Sequence, residues 1–280
     1  MKVISNVFDS ILHKHLRNGL NKFPNLQSIF PADWPKTKKY YISNKFMRDF
    51  QKTRRKENLL DNMNFPLMLY NYNKFNAPQK SKQVFYSILE NLEIFAKEMK
   101  TYPGFKDVLT PLWDEFENPK RFWAVVSEVY FCNFIVHRGF EIKGFERKIP
   151  NSTKKADILT SWNDVPTYVD IEACSLTKEI EGDDIKFREL IVHRAKNKME
   201  SKFNLLKRSN YGIVSSIYRI DKPSLLDRFK TGTKELHIVI DESNPNVFAH
   251  VYWLIVGKRS NEPYKLYLVD NEVEMIKIKE

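Results

Sequence analysis

The chain has 280 residues, of which 42% are hydrophobic and 29% charged, a composition typical of a globular protein with a sizeable core. Its 8 glycines argue against a glycine-rich nucleotide-binding fold. Its two cysteines, Cys132 and Cys174, exclude a disulfide framework and a cysteine-rich zinc site, and indicate a reducing compartment. Without a long apolar run or a signal-peptide pattern, the sequence predicts a cytoplasmic protein that does not span a membrane.

The net charge of +11 is concentrated near the N-terminus. Residues 1–57 contain 13 Lys/Arg and 4 Asp/Glu, an excess of +9 that leaves +2 for the rest of the chain. Because these cations alternate with aromatic side chains, the segment suits a nucleic-acid surface; the alternative is a solvated basic helical face. The residues predicted to contact nucleic acid are Lys36, Lys38, Lys39, Lys52, Arg54, Arg55, Lys154, Lys155 and Arg194.

The predicted elements divide the chain into two regions. Residues 1–119 predict a basic, mainly helical region, because apolar side chains recur every three to four residues between prolines. Residues 120–280 predict an α/β core with a mixed sheet flanked by helices. Its predicted helices span 122–136 and 184–208. Its predicted strands span 139–149, 156–162, 167–175, 236–242, 251–257, 264–269 and 274–279.

Three details of the predicted core bear on its topology. Residues 163–166, Asn-Asp-Val-Pro, predict a turn that joins the flanking strands into an antiparallel hairpin. The strand 236–242 is nearly all apolar, which favours a central position in the sheet with both faces buried. The helix 184–208 carries a single apolar stripe, so one side of it is expected to pack on the sheet.

Glu128 stands out because its helix is otherwise almost entirely apolar. Only Ser127, Glu128 and Asn133 are polar among residues 122–136. A buried carboxylate is costly unless it is paired, protonated or bound to a cation. Glu128 is therefore a candidate functional residue, and a local salt bridge is the alternative explanation.

Further acidic residues lie on the two strands of the predicted hairpin. Asp157 begins the first strand, and alternation in the second places Asp170, Glu172 and Cys174 on one face. Carboxylates that share an apolar surface repel each other, and a divalent cation relieves that repulsion. Because no His or Cys cluster accompanies them, they indicate Mg²⁺ or Mn²⁺ rather than zinc. A structural cluster of ion pairs with Lys or Arg is the competing interpretation.

This arrangement resembles the PD-(D/E)XK nuclease superfamily. Its members share a helix that carries a Glu, then a β-meander with an Asp at the start of its second strand and a (D/E)-X-K motif on its third, then a helix and another strand. The resemblance covers residues 120–243 and implies a restriction-endonuclease-like fold. It implies that Asp157, Glu172 and Glu128 bind the metal and take part in catalysis, although the family's proline before the Asp is absent.

The main departure from the family is Cys174, which occupies the position of the motif lysine. In one alternative reading, Asp170 is the metal ligand and Glu172 takes the place of the lysine. In the other, the cation comes from the following helix, where Arg194, Lys198 and Lys202 recur every four residues and share a face. Lys198 is the favoured substitute, followed by Lys202.

The resemblance implies a Mg²⁺-dependent endonuclease that hydrolyses DNA, with RNA as the other substrate class. Such an enzyme would act in restriction or defence, repair or transposition, as a homodimer or as a subunit of a larger complex. Two alternatives remain open. Cys174 favours a catalytically inactive nuclease fold that binds DNA or RNA, and the basic segment also suits a helical subunit that docks on an acidic protein.

Overall fold

The computed structural model describes residues 14–31, 34, 63–73, 78–114, 118–175, 184–206, 209–220, 236–241, 245–257, 263, 265–269 and 273–278. The six basic residues predicted to contact nucleic acid between positions 36 and 55 lie outside these ranges. Within the described part, no helix combines the length and the apolar character needed to cross a membrane. The chain forms two compact units. Unit 1 comprises Met1–Lys100, Leu109–Val126 and Gly257–Leu266, and unit 2 comprises Thr101–Val108, Ser127–Val256 and Tyr267–Glu280.

The helices with defined bounds occur mostly before the first strand. They are α1 (Pro24–Ile29), α2 (Phe65–Asn73), α3 (Gln79–Met99), α4 (Phe105–Leu109), α5 (Pro111–Asp114), α6 (Pro119–His137) and α7 (Asp184–Phe203). In unit 1, α3 supports the start of α1, because the Glu93 carboxylate accepts hydrogen bonds from the backbone N–H of Asn25 and Leu26 at 3.0 and 2.7 Å. An acidic side chain at a helix N-terminus satisfies backbone donors that have no partner within the helix.

The described strands form one mixed sheet. They are β1 (Glu141–Lys148), β2 (Lys155–Trp162), β3 (Val165–Ser175), β4 (Tyr211–Ile220), β5 (Leu236–Asp241), β6 (Val247–Gly257), β7 (Lys265–Val269) and β8 (Val273–Ile278). Their order is β1-β2-β3-β4-β6-β5-β8, and β7 also pairs with β6. The first three strands form an antiparallel meander, and α7 then connects β3 to its parallel neighbour β4.

Helices cover both faces of this sheet. The α7 stripe, including Ile191, Ala195 and Met199, packs in one buried cluster with sheet residues such as Trp253. From the other side, Phe131 of α6 contacts Tyr252, which neighbours Trp253 on β6 and points to the opposite face. The predicted α/β class, with a mixed sheet flanked by helices, is therefore confirmed.

The hairpin of β2 and β3 turns more tightly than its sequence indicates. Only Asn163 and Asp164 form the turn, with φ of 49° and 64°, while Val165 and Pro166 already belong to β3. Two residues of positive φ match the right-handed twist of the flanking strands, and Asn and Asp tolerate this conformation well. The predicted four-residue turn is wrong by two residues, which changes the partner of every residue across the hairpin.

The sequence-based elements also omit β4, which lies between β3 and β6 at the centre of the sheet. Ser215 and Ser216, 0% and 2% exposed, interrupt its apolar pattern although both are buried. The strand predicted to be central, β5, is an interior strand paired with β6 and β8, but it lies one strand from the end of the sheet rather than at its middle. Apolar composition indicates that residues 236–241 form a strand, but it does not fix the strand's place in the sheet.

Candidate active site

Three acidic residues lie side by side across the meander of unit 2. The register of β1 with β2 places Glu146 opposite Asp157, and the register of β2 with β3 places Asp157 opposite Asp170. Directly opposed residues on neighbouring strands project from the same face, roughly 5 Å apart. We call Glu146, Asp157 and Asp170 the acidic row. Like charges in this arrangement repel each other, so the row needs protons or cations to be stable.

Asp157 lies where β2 and β3 begin to separate. The paired residues of this hairpin end at Ile158 and Val169. One residue further, the Asp157 side chain accepts a hydrogen bond from the backbone N–H of Ile171 at 2.5 Å. The carboxylate thus provides an acceptor where the ladder of paired backbone groups ends, and this contact fixes its position beside Asp170.

Glu146 belongs to this site, but no sequence pattern predicted it. It has a φ of 49° within β1, where a residue other than glycine is strained. β1 also contains an irregularity between Ile142 and Gly144. Because of this irregularity, simple alternation along β1 does not predict which face of the sheet Glu146 occupies. The sequence indicated only that Glu146 lies on a strand next to β2.

Two lysines of α7 neutralise Asp170, the most deeply buried acid of the row at 1% exposure. Lys198 Nζ lies 3.0 Å from Asp170 Oδ2, and Lys202 forms a close ion pair with Oδ1. Lys202 also donates to the backbone carbonyl of Lys155 at 2.9 Å. Burial opposes the charge of Lys198, but the pKa of that lysine is raised by Asp170 together with Glu172 and Asp157. The predicted orientation of these two lysines toward the sheet is thus observed.

Glu128 reaches the same region from α6. Its Oε1 is buried and has no hydrogen-bond partner among the residues that the structure describes. Burial raises the pKa of Glu128 well above its usual value, and the charges of Asp157, Glu146 and Asp170 raise it further. All three residues of the acidic row therefore act on Glu128, and a cation or a proton is needed for this carboxyl group to be stable there.

The pKa of Asp157 is raised to about 7, chiefly by burial and then by Asp170. The hydrogen bond from Ile171 and the charge of Lys202 lower this pKa, while Glu146 raises it. The elevation therefore persists despite a direct hydrogen bond and a nearby lysine. Burial and the charge of Asp170 together therefore outweigh the two effects that favour the ionised form of Asp157.

Further along β3, the same face of the sheet carries Glu172 and Cys174, and Arg194 of α7 acts on both. Glu172 Oε2 is buried and has no hydrogen-bond partner in the described part of the chain. Burial raises the pKa of Glu172, although Lys198 and Arg194 lower it. Burial, with a contribution from Glu172, raises the pKa of the Cys174 thiol to about 11, so the thiol stays neutral. Arg194 lowers the pKa of this thiol, so its positive charge acts at the position of the motif lysine.

Lys154 and Lys155 lie beside the acidic row, at the start of β2. Both are exposed, and Lys154 donates to the backbone carbonyl of Ser201 in α7. Lys155 Nζ lies 4.0 Å from Glu146 Oε2. Their side chains thus place positive charge next to the carboxylates, where a polyanion could be held.

The chemistry of the donor set fits a hard cation. Among the described residues, no three Asp, Glu, His or Cys side chains are arranged as a ready metal site, and both oxygens of Asp170 are directed at lysines. Glu128 and Glu172 nevertheless each have a buried carboxylate oxygen without a hydrogen-bond partner. Together with Asp157, they are oxygen donors of the kind that Mg²⁺ and Mn²⁺ prefer.

The stability of the protein should fall as the pH rises from about 4 to about 7. The pKa of Asp157 is about 7 in the folded chain and lower in the unfolded chain. Between these two values the folded state keeps a proton that the unfolded state has released, so each rise in pH favours unfolding. Asp157→Asn keeps the acceptor for Ile171 and should be about as stable as the wild type near pH 4.5. By pH 8 it should be the more stable by about 3–4 kcal/mol, because each unit of the elevated pKa corresponds to about 1.4 kcal/mol.

Thermal denaturation from pH 4.5 to 8, with and without MgCl₂, measures this difference. At pH 8, Mg²⁺ at ten times its Kd should raise the Tm of the wild type by about 3–6 °C. It should not raise that of Asp157→Asn. A pH-independent difference between the two proteins would contradict the elevated pKa of Asp157.

Comparison of the chain with protein-family models, with curated proteins and with solved structures gives no match.

Proposed function

We propose that this protein hydrolyses phosphodiester bonds of nucleic acid, DNA in the first instance, with Mg²⁺ or Mn²⁺ as cofactor. The observation that carries this proposal is the acidic row of Glu146, Asp157 and Asp170 beside two lysines of α7. Carboxylates next to cations can hold a divalent ion and a phosphate at the same place. A cluster that served stability alone would not require the elevated pKa values of Glu128 and Asp157.

The order of elements supports a restriction-endonuclease-like core. The chain runs from α6 through the meander β1-β2-β3 into α7 and then β4, which is the order that the PD-(D/E)XK resemblance implies. Glu128 lies on the helix, and Asp157 lies near the start of the second strand. Because Asp170 is opposite Asp157, the geometry favours the reading in which Asp170 is the third-strand ligand and Glu172 takes the place of the lysine.

In the proposed mechanism, Asp157, Asp170 and Glu128 would hold the cation. Asp170 would exchange its ion pair with Lys198 for the cation, which would leave Lys198 for the phosphate. When bound, Mg²⁺ would supply a Lewis acid that lowers the pKa of a water and balances charge on the phosphate. Glu172 would accept the proton of the attacking water at its carboxylate, since its raised pKa makes it a stronger base. Lys198 and Arg194 would neutralise the charge that develops on the phosphate.

Lys154 and Lys155 would contact neighbouring phosphates of the strand. Both are exposed beside the acidic row, so they can position a backbone without reading its sequence. The basic N-terminal segment would extend this contact surface, because its excess of Lys/Arg is the largest in the chain.

A second candidate function is nucleic-acid binding without catalysis. Two specific observations favour it: a neutral thiol, Cys174, stands where the family has a lysine, and both oxygens of Asp170 are ion-paired with lysines. Such a protein would bind DNA or RNA through its basic residues, and the acidic row with its lysines would serve only to stabilise the fold.

Incubation of the purified protein with supercoiled plasmid distinguishes the two functions. With MgCl₂ or MnCl₂ we expect nicked and linear DNA, and with EDTA we expect neither. Single-stranded DNA and RNA of the same sequence, tested in parallel, identify the preferred substrate. If the protein binds DNA in a salt-sensitive way but cleaves it with neither MgCl₂ nor MnCl₂, the nuclease proposal is contradicted and the second candidate is supported.

A further inference from the structure

A cavity of about 370 Å³ lies in unit 2 between the second half of α6 and the sheet. It is on the face of the sheet that α7 does not cover, because its lining includes Val169 and Phe248, whose neighbours along β3 and β6 face α7. Its volume is within the range of small-molecule sites in proteins. The aromatic residues of its lining are Phe131, Phe134, Phe140, Trp162, Phe248 and Tyr252.

Several aromatic rings that line this cavity pack edge-to-face against one another. Tyr252 meets Phe131 and Phe134 edge-on, with ring centroids 5.1 and 5.8 Å apart. Trp162 meets Phe248 in the same way at 6.0 Å. Aromatic rings attract other rings in edge-to-face and offset-stacked arrangements, so walls of this kind favour a flat aromatic ligand over a flexible alkyl chain.

The floor and the mouth of the cavity differ in exposure. Phe131, Val169 and Tyr252 are buried at 3%, 2% and 5% exposure. Trp162, at 39%, is among the most exposed large apolar side chains of the described chain. A Trp at the mouth of an apolar cavity can pack on a ligand that enters it, and its partial exposure means that the cavity is open to solvent.

The charge at the cavity is positive. Arg138, which is exposed, directly follows α6, and its Cζ lies 4.9 Å from the centroid of the Phe134 ring. Among the described residues, those that line the cavity include this arginine but neither Asp nor Glu. An arginine stays charged at any physiological pH and binds carboxylate, sulfonate and phosphate groups with charge-assisted hydrogen bonds.

We propose that this cavity is a binding site for a small planar aromatic molecule that carries an anionic group. The ring of the ligand enters between Phe134, Trp162 and Tyr252, and its anionic group meets Arg138. The site is separate from the acidic row, which lies with Lys198 and Lys202 on the α7 face of the sheet. The proposal therefore does not depend on nuclease activity.

Titration of the full chain with 1-naphthalenesulfonate tests this proposal. Calorimetry and quenching of Trp fluorescence should give saturable binding of one molecule per chain. 1-Naphthalenemethanol, which keeps the ring but lacks the charge, should bind about tenfold more weakly or worse. Decanoate, which keeps an anionic group but lacks the ring, should compete poorly. If decanoate competes as well as the naphthalene probe, the ligand class is wrong.

Two variants locate the binding site. Arg138→Gln should weaken binding of the sulfonate about tenfold and leave binding of the alcohol unchanged. Ile213→Phe, which adds volume to the lining, should abolish both. Arg121→Gln, near the opposite end of α6, is the matched control and should change neither. Because Arg138 is exposed, its variant remains informative even if Ile213→Phe does not fold. Absence of saturable binding, or equal binding by wild type and Arg138→Gln, would overturn the proposal.

Discussion

Asp157→Asn is expected to lower Mg²⁺-dependent cleavage of plasmid DNA by about 10²–10³-fold or more, a loss of the size seen when one charge-stabilising group of an active site is removed. Asp157 occupies the middle of the acidic row, so it is the residue best placed to share a cation with either neighbour. The Asn side chain is of nearly equal size and still accepts the hydrogen bond from Ile171. A loss of cleavage in this variant would therefore result from the missing negative charge and not from unfolding of the protein.

The initial rate of nicking, measured at saturating MgCl₂, checks this expectation. Asp164→Asn is the matched control, because Asp164 is exposed in the turn of the same hairpin and Asn tolerates its positive φ. The control should cleave as the wild type does. Cleavage by Asp157→Asn at the wild-type rate would remove this residue from the proposed site.

The same assay distinguishes the two readings of the third strand. Asp170→Asn should abolish cleavage about as completely as Asp157→Asn, since Asp170 lies directly opposite Asp157. Glu172→Gln should reduce the rate most above the pKa of Glu172, where the wild-type carboxylate is ionised and can accept a proton, and least at low pH, where it is protonated. If only Glu172→Gln abolished Mg²⁺-dependent stabilisation, Glu172 and not Asp170 would be the metal ligand.

Removal of both lysines of α7 is expected to destabilise the protein by about 3–5 kcal/mol, because Asp170 would remain as a buried carboxylate without a partner. The variant is Lys198→Met with Lys202→Met, which retains most of the apolar volume of both side chains. Urea denaturation at pH 8 measures the change in the free energy of unfolding.

Two further variants assign that loss to Asp170. Lys196→Met changes an exposed lysine of the same helix, which pairs with Glu200 at 3.8 Å, and should change stability by about 0.5 kcal/mol or less. Addition of Asp170→Asn to the double variant should restore most of the lost stability, because the buried charge is then absent. A double variant as stable as the wild type would show that the two ion pairs do not hold Asp170.

The hairpin shows how far the sequence could locate the site. Apolar alternation identified β2 and β3, and it assigned Asp170 and Glu172 to one face. A turn of four residues over 163–166 would have placed Glu172 opposite Asp157, whereas the observed turn of two residues places Asp170 there. Because side chains repeat every two residues along a strand, this shift keeps the face and changes only the partner.

Other features were beyond a pattern-based prediction for different reasons. The strand β4 was missed because Ser215 and Ser216 are polar although buried, and periodicity reports polarity rather than burial. Glu146 was missed because β1 is irregular and because its partner is set by tertiary pairing. By contrast, the spacing of Lys198 and Lys202 correctly indicated that both face the sheet, since a helix fixes relative directions locally.

The burial of Cys174, beside Arg194, has a practical consequence for experiments on this molecule. Cys132 in α6 is also buried, at 0% exposure, so neither native thiol is accessible to an alkylating reagent while the chain is folded. A cysteine introduced at an exposed position, such as Lys196→Cys on α7, would then react selectively with maleimide dyes. Spectroscopic labels can thus be attached near the site without first replacing the natural cysteines.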